Sequence, residues 1–214
     1  MIAERAIEVR TPDGESLEAR IAVPDEARGG VVVCHPHPLY GGDMDNPVVV
    51  RAVEVCADLG LAAARFNFRG VGRSTGRHGD GIAERADARA AIAALRAHAA
   101  GIAGVAVAGY SFGALVAAHV VALQPELAGL CLIAPPLGLG GDRLPGALSA
   151  WDRPLALAAG TRDEYCPAAA LDAFSRDFPA ARVSRVEGAN HFFLGKLFPL
   201  GEIVAGWARR VFPL

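Results

Sequence analysis

Two serines stand at the centre of the same pentapeptide, G-x-S-x-G: Gly72-Arg73-Ser74-Thr75-Gly76 and Gly109-Tyr110-Ser111-Phe112-Gly113. The pattern carries chemistry where a strand stops abruptly, a strained turn presents the hydroxyl and a helix starts at once. The glycines then let strand and helix approach closely. The run GVAVAGY leads straight into Ser111, and FGALVAAHVVAL leaves straight from it. A helix starting there aims its positive end and free N–H groups at the hydroxyl. Around Ser74 the apolar run ends near Phe68, and GRHGDG intervenes before the next helical pattern. Ser111 is therefore the candidate nucleophile, a helix-capping serine being the plain alternative, and Ser74 reads as a loop serine.

A serine hydroxyl is a poor nucleophile until a base takes its proton, and the base needs a partner that fixes its tautomer. For a serine on such a turn the chain order is Ser, then Asp or Glu, then His. Of the six histidines, His191 alone lies beyond every candidate acid, in GANHFF after the last strand-like run. Asp163 follows the run PLALAAG in TRDEYCP and is the candidate orienting acid. Glu164 is its immediate neighbour, and Asp142 and Asp152 are rivals if the acid is borne one strand earlier. A helix-capping aspartate before Pro167 is the plain alternative.

The negative charge that develops on an attacked carbonyl needs two backbone donors. The N–H of Phe112, next after Ser111, is the first candidate. The second is expected from His35-Pro36-His37-Pro38-Leu39-Tyr40-Gly41-Gly42, where the prolines have no N–H and His37 is favoured over Leu39. His35 and His37 also raise a metal pair, but no downstream His or Asp set with obvious ligand spacing completes a site. Neither a metal nor a cofactor is expected. Arg65, Arg69, Arg73 and Arg77 suggest phosphate binding. Gly70-Val71-Gly72, however, lacks the third glycine of G-x-G-x-x-G, and there is no G-K-[ST]. These arginines read as a solvated loop and structural ion pairs.

The elements that must position these groups are visible as a change of pattern. IEVRTPDG and ESLEARIAV alternate in polarity around a turn, as a β-hairpin does. Continuous apolar runs follow at 30–34, 61–68, 104–110, 128–134 and 154–160, with a weaker one at 181–187. Runs without alternation suit parallel strands buried on both faces. Helical patterns lie between them at about 46–59, 80–99, 112–124, 167–177 and 201–212. The chain of 214 residues, 52% hydrophobic, reads as one domain, 1–214, because 135–153 is too short for a separate cap domain. A net charge of −2 gives no footprint for nucleic acid or an anionic membrane. No run reaches the roughly 20 apolar residues of a membrane helix, and no export signal is visible, so a cytoplasmic protein is expected. The four cysteines are far apart and expected to be reduced.

In HPHPLYGG, FNFRGVGRS, GYSFG, GTRDEYCP and GANHFF, in that order, the chain resembles the α/β-hydrolase superfamily over essentially its whole length. Within it, the chain is similar to small capless, dienelactone-hydrolase-like bacterial members. The resemblance implies a mostly parallel, eight-stranded sheet with an antiparallel N-terminal hairpin, helices on both faces and a Ser-Asp-His triad. Dienelactone hydrolase has a cysteine where this chain has Ser111, so its substrate does not carry over, and His35-Pro36 replaces the usual histidine-glycine of the oxyanion loop. The expected function is hydrolysis of a small, short-acyl carboxylic ester through an acyl-enzyme. Thioesterase, amidase or peptidase action with the same triad is the alternative, and behind it a metal-dependent hydrolase or a non-catalytic binding protein. The expected partner is a small-molecule ester, and the oligomeric state is left open.

Overall fold

A computed structural model describes residues 3–139, 144, 148, 151–178 and 181–213. Asp142, one of the rival acids, lies outside the described residues, as does most of 140–150. Eight strands form one sheet in the order β1-β2-β4-β3-β5-β6-β7-β8. They are β1 (Arg5–Arg10), β2 (Ser16–Ala22), β3 (Gly30–Cys34), β4 (Ala62–Phe66), β5 (Val105–Tyr110), β6 (Leu130–Ile133), β7 (Leu155–Gly160) and β8 (Arg182–Val186). β1 pairs antiparallel with β2 and β2 antiparallel with β4; every other pairing is parallel. The expected fold class is the one observed.

The central strands are apolar throughout because both sheet faces are covered. Val32, Val105 and Val107 point into one core, and Val31, Val33 and Ala108 into the other. Helices α1 (Pro47–Asp58) and α5 (Leu197–Val211) cover the second face. Helices α2 (Glu84–His98), α3 (Phe112–Leu123) and α4 (Ala168–Arg176) cover the first. This two-face burial of alternate strand residues is the source of the unbroken apolar runs.

Two helix starts differ from the sequence expectation. α2 begins at Glu84, not near 80, because the buried Glu84 carboxylate accepts the N–H groups of Gly79 (2.7 Å) and Gly81 (2.9 Å) and holds 79–83 in turns. α5 begins at Leu197, not 201, because Pro199 falls in the first turn, where a missing N–H costs nothing. The four arginines divide between the two expected roles, loop and ion pair. Arg73 and Arg77 are exposed, but Arg65 and Arg69 are buried rather than solvated. Arg65 pairs with Glu4 (2.6 Å) and Asp45, and Arg69 with Asp87 (2.6 Å) and Asp13 (2.8 Å). The Asp13 carboxyl is held at about 2, chiefly by its hydrogen bond to Arg69.

The register sets what can meet at the C-terminal end of the sheet. Cys34 lies opposite Gly109, and Tyr110 opposite Ile133. The loop after β3 therefore rises beside the turn after β5. Gly160 of β7 lies opposite Val186 of β8, so the loops leaving those two strands start level with each other.

Candidate active site

Ser111 occupies the single position between β5 and α3, at φ 55° and ψ −117°. A non-glycine residue at positive φ is strained and is held there only by its surroundings. Its N–H donates to the Ile133 carbonyl at 2.9 Å, and its own carbonyl accepts from Ala114 N–H at 2.9 Å. The flanking glycines are required by contact rather than by flexibility. A Cβ on Gly109 would lie 2.1 Å from the Gly113 carbonyl oxygen, and one on Gly113 would lie 2.4 Å from the Cys34 carbonyl oxygen. Strand, turn and helix close on one another because nothing larger than hydrogen stands at those two positions.

His191 lies in the loop between β8 and α5. The Tyr110 hydroxyl donates to its backbone carbonyl at 2.9 Å, and Asn190 Oδ1 accepts from Phe192 N–H at 3.1 Å. The loop is also pinned to the end of β7. Arg162 N–H donates to Ala189 O at 2.9 Å, and a Cβ on Gly160 would meet that same oxygen at 2.2 Å. His191 Nε2 is 3.0 Å from Ser111 Oγ, and His191 Nδ1 is 3.0 Å from each carboxylate oxygen of Asp163. Asp163 Oδ1 also accepts the N–H groups of Tyr165 and Cys166, both at 2.9 Å. A carboxylate facing Nδ1 fixes the imidazole proton there and leaves the Nε2 lone pair directed at the serine hydroxyl.

Three residues 28 to 80 positions apart thus form one hydrogen-bonded series. The described rivals for the acid stand elsewhere. Glu164 is exposed, and the Asp152 side chain is 91% exposed beside Arg153.

The β3 loop meets the start of α3 at this point. The Phe112 N–H is a first-turn donor with no partner within its helix. Of the two donors weighed in the β3 loop, Leu39 N–H is already given to His37 Nδ1 at 3.2 Å. The His37 N–H has no hydrogen-bond partner among the described residues. The His37 ring lies 4.8 Å from the Phe112 ring and 4.9 Å from that of His78, and His78 is 5.4 Å from Phe112, so the three rings form one cluster. Burial lowers the His37 imidazole from its ordinary value, and the neighbouring His78 lowers it further.

His35 is used differently. It is completely buried, its Nε2 accepts from Phe68 N–H at 3.0 Å, and its Nδ1 donates to Pro36 O at 2.6 Å. Burial pushes its pKa down to about 4, so it is neutral at ordinary pH. With both nitrogens engaged, the His35–His37 pair does not present two free ligands. Among the described residues, no group of three or more His, Cys, Asp or Glu side chains is placed to hold a metal ion. No helix among them is long and apolar enough to cross a membrane.

Residues 25–151 match the family model described as serine aminopeptidase, S33. The chain belongs to this α/β-hydrolase family. An α/β serine hydrolase homologue from Coxiella burnetii is 33% identical, covering 96% of this chain and 98% of its own, with a TM-score of 0.85. A lidless α/β serine hydrolase from Xanthomonas campestris is 30% identical, covering 99% and 96%, with a TM-score of 0.86. An uncharacterised Rickettsia prowazekii protein is 38% identical over 127 residues, which is 59% of this chain and 53% of that protein. The chain thus spans about half the length of the curated relative it matches.

Two groups that hold the site together are not visible in the sequence. The Tyr110 hydroxyl reaches a loop 81 positions away, and His35 bridges the β3 and β4 loops across 33. Neither contact leaves a local pattern. The nearest signal is type and place, since a tyrosine and a histidine end apolar strands where aliphatic residues would suffice for the core. The four cysteines are all buried and free. Burial raises each thiol, those of Cys56 and Cys166 to about 12.

Proposed function

We propose that the protein is a serine hydrolase that cleaves small carboxylic esters through an acyl-enzyme. The observation that carries this reading is the hydrogen-bonded series Asp163–His191–Ser111, with the serine on a strained strand–helix turn. Ser111 Oγ attacks the ester carbonyl as its proton passes to His191 Nε2. The resulting imidazolium is held by Asp163. The carbonyl oxygen, now negative, receives the N–H groups of Phe112 and His37. Collapse of the tetrahedral intermediate breaks the ester C–O bond as His191 gives its proton to the departing alcohol. Water then takes the alcohol's place: its oxygen attacks the acyl carbon as His191 takes its proton, and the C–Oγ bond breaks as His191 returns that proton to Ser111 Oγ, which releases the acid.

Covalent labelling tests the reading. A fluorophosphonate should modify Ser111, and peptide mass spectrometry should find the adduct there. Label on Ser74, or none on either serine, would overturn it. The family description supports a second reading, cleavage of an aminoacyl amide by the same residues. Turnover of an ester and an amide of one acyl group separates the two: faster amide cleavage would favour the aminopeptidase reading.

A further inference from the structure

Nine large apolar side chains are exposed among the described residues, and all but Leu123 lie on segments that follow the C-terminal ends of the parallel strands. Two of them flank the base. The Tyr165 ring centroid is 4.7 Å from that of His191, and the Phe192 centroid is 5.6 Å away and edge-on. Both rings remain open to solvent, Tyr165 at 40% and Phe192 at 58%. Both are also anchored through their backbones. Tyr165 N–H is held by Asp163 Oδ1 and Phe192 N–H by Asn190 Oδ1. The same carboxylate and loop that position the imidazole therefore hold the backbones that carry these two exposed rings beside it.

The chemistry says which half of an ester they face. In the proposed reaction His191 must reach the leaving oxygen to protonate it, so the alcohol half lies on the His191 side. The carbonyl oxygen lies toward the Phe112 and His37 donors, and the acyl chain takes the remaining direction, away from His191. We infer that Tyr165 and Phe192 form a recognition site for an aromatic alcohol group, so that the substrates are esters of aryl-bearing alcohols. This rests on the ester-hydrolase reading above. An aromatic ring on the alcohol would pack against these rings and cover apolar surface now left to water. The contact exists in the bound ester and persists in the transition state, so it acts mainly on KM.

The test is a selectivity ratio. Benzyl acetate and ethyl acetate share an acyl group and release alcohols of similar acidity. Their ratio of kcat/KM should favour the benzyl ester in the native protein. It should fall about tenfold in Tyr165→Ala, about tenfold in Phe192→Ala and further in the double variant. Tyr165→Phe should keep the ratio, because the ring and not the hydroxyl makes the contact. An unchanged ratio in both alanine variants overturns the proposal. So does a change that appears instead between ethyl phenylacetate and ethyl acetate, which would put the aromatic group on the acyl side. A second arm does not depend on turnover. Benzyl alcohol should bind Ser111→Ala protein by saturation-transfer NMR, and the signal should vanish when Tyr165 and Phe192 are both alanine. If no ester is cleaved and Ser111 takes no label, the hydrolase reading fails, while this binding result still decides whether the aromatic site exists.

Discussion

The same five-residue pattern has two different fates in this chain. At Ser111 it bends a buried strand into a helix, holds the serine at φ 55° and turns Oγ toward His191 Nε2 at 3.0 Å. At Ser74 it lies in a loop, and the hydroxyl is buried and spent. Ser74 Oγ donates to the Asn67 carbonyl at 2.8 Å and accepts from Glu18 N–H at 3.0 Å. The glycines differ in the same way. Gly109 and Gly113 are needed because backbone stands where a Cβ would go. Gly72 and Gly76 have φ of 56° and 85°, and their nearest obstacles are the side chains of Asn67 and Glu15. One pentapeptide makes an elbow and the other a pin. The residues on either side decide which, and the pattern alone carries no chemistry.

The sharpest way to break this comparison is to remove each hydroxyl in turn. Ser111→Ala should abolish fluorophosphonate labelling and lower ester turnover by about 10⁶-fold, the scale seen when a triad serine is lost. Its circular dichroism should stay native, because Ser111 contributes to the fold through its backbone N–H and carbonyl. Ser74→Ala should retain both labelling and turnover. A Ser111→Ala protein that still turns over the ester at the native rate erases the distinction.

The next largest effect separates Asp163 from its neighbours. In Asp163→Asn an amide replaces the acceptor of the Nδ1 proton and stabilises the wrong imidazole tautomer, so turnover should fall about 10⁴-fold. Glu164→Gln and Asp152→Asn should each cost far less, since both side chains are exposed and neither touches His191. Kinetics on the purified variants decide the matter. If Glu164→Gln is the crippling change, the acid has been placed one residue too early.

How much of this could be read from the chain alone follows from the range of the interactions. The run 30–34 and the strand β3 have the same bounds, because two-face burial writes itself into consecutive residues. The elbow is legible for the same local reason. Asp163 and His191 are legible by order, as each follows a strand near the C-terminal edge where Ser111 must also lie. Helix starts are less so: a distant or side-chain capping contact such as Glu84 to Gly79 shifts the boundary of α2 without altering its apolar period. Arg69 shows the limit. Its charge is visible, but the carboxylates that bury it come from the β1–β2 turn and from α2, 56 positions before it and 18 after. The pairing is a product of topology, which no window of sequence contains.

His35 sharpens the comparison because it stands between the two pentapeptides. Its Nε2 holds the β4 loop that leads to Ser74, and its backbone carbonyl would lie 2.6 Å from a Cβ on Gly113. Its folded pKa of about 4 lies below the ordinary 6.5, so the folded protein disfavours its protonation. The unfolded chain binds that proton first. The stability held above pH 6.5 is therefore lost as pH falls through that value toward 4, and the loss levels off below. The span corresponds to about 3 kcal/mol. Urea unfolding at several pH values should show this slope, and His35→Gln should flatten it whatever its own starting stability. A variant with the native slope would assign the acid sensitivity to other groups.

The smallest expected effect tests the pin itself. In Ser74→Ala two polar groups lose a partner at once, the Glu18 N–H of β2 and the Asn67 carbonyl after β4. Asn67 is tied further into the structure, accepting from Met44 N–H at 2.8 Å and donating to Glu18 Oε2 at 2.9 Å. Those bonds keep the loop from swinging out to solvate the orphaned groups. A buried polar group left without a partner costs about 1–3 kcal/mol, which for a protein of this size lowers Tm by about 5 °C. Ester turnover measured well below that Tm should stay within about twofold of native, because no atom of Ser74 contacts the three groups around His191. Thermal unfolding and kinetics on one preparation check both halves. A native Tm would mean the hydroxyl is not the pin. A collapse in turnover with a folded protein would mean that the β4 loop positions the site more tightly than its hydrogen bonds indicate.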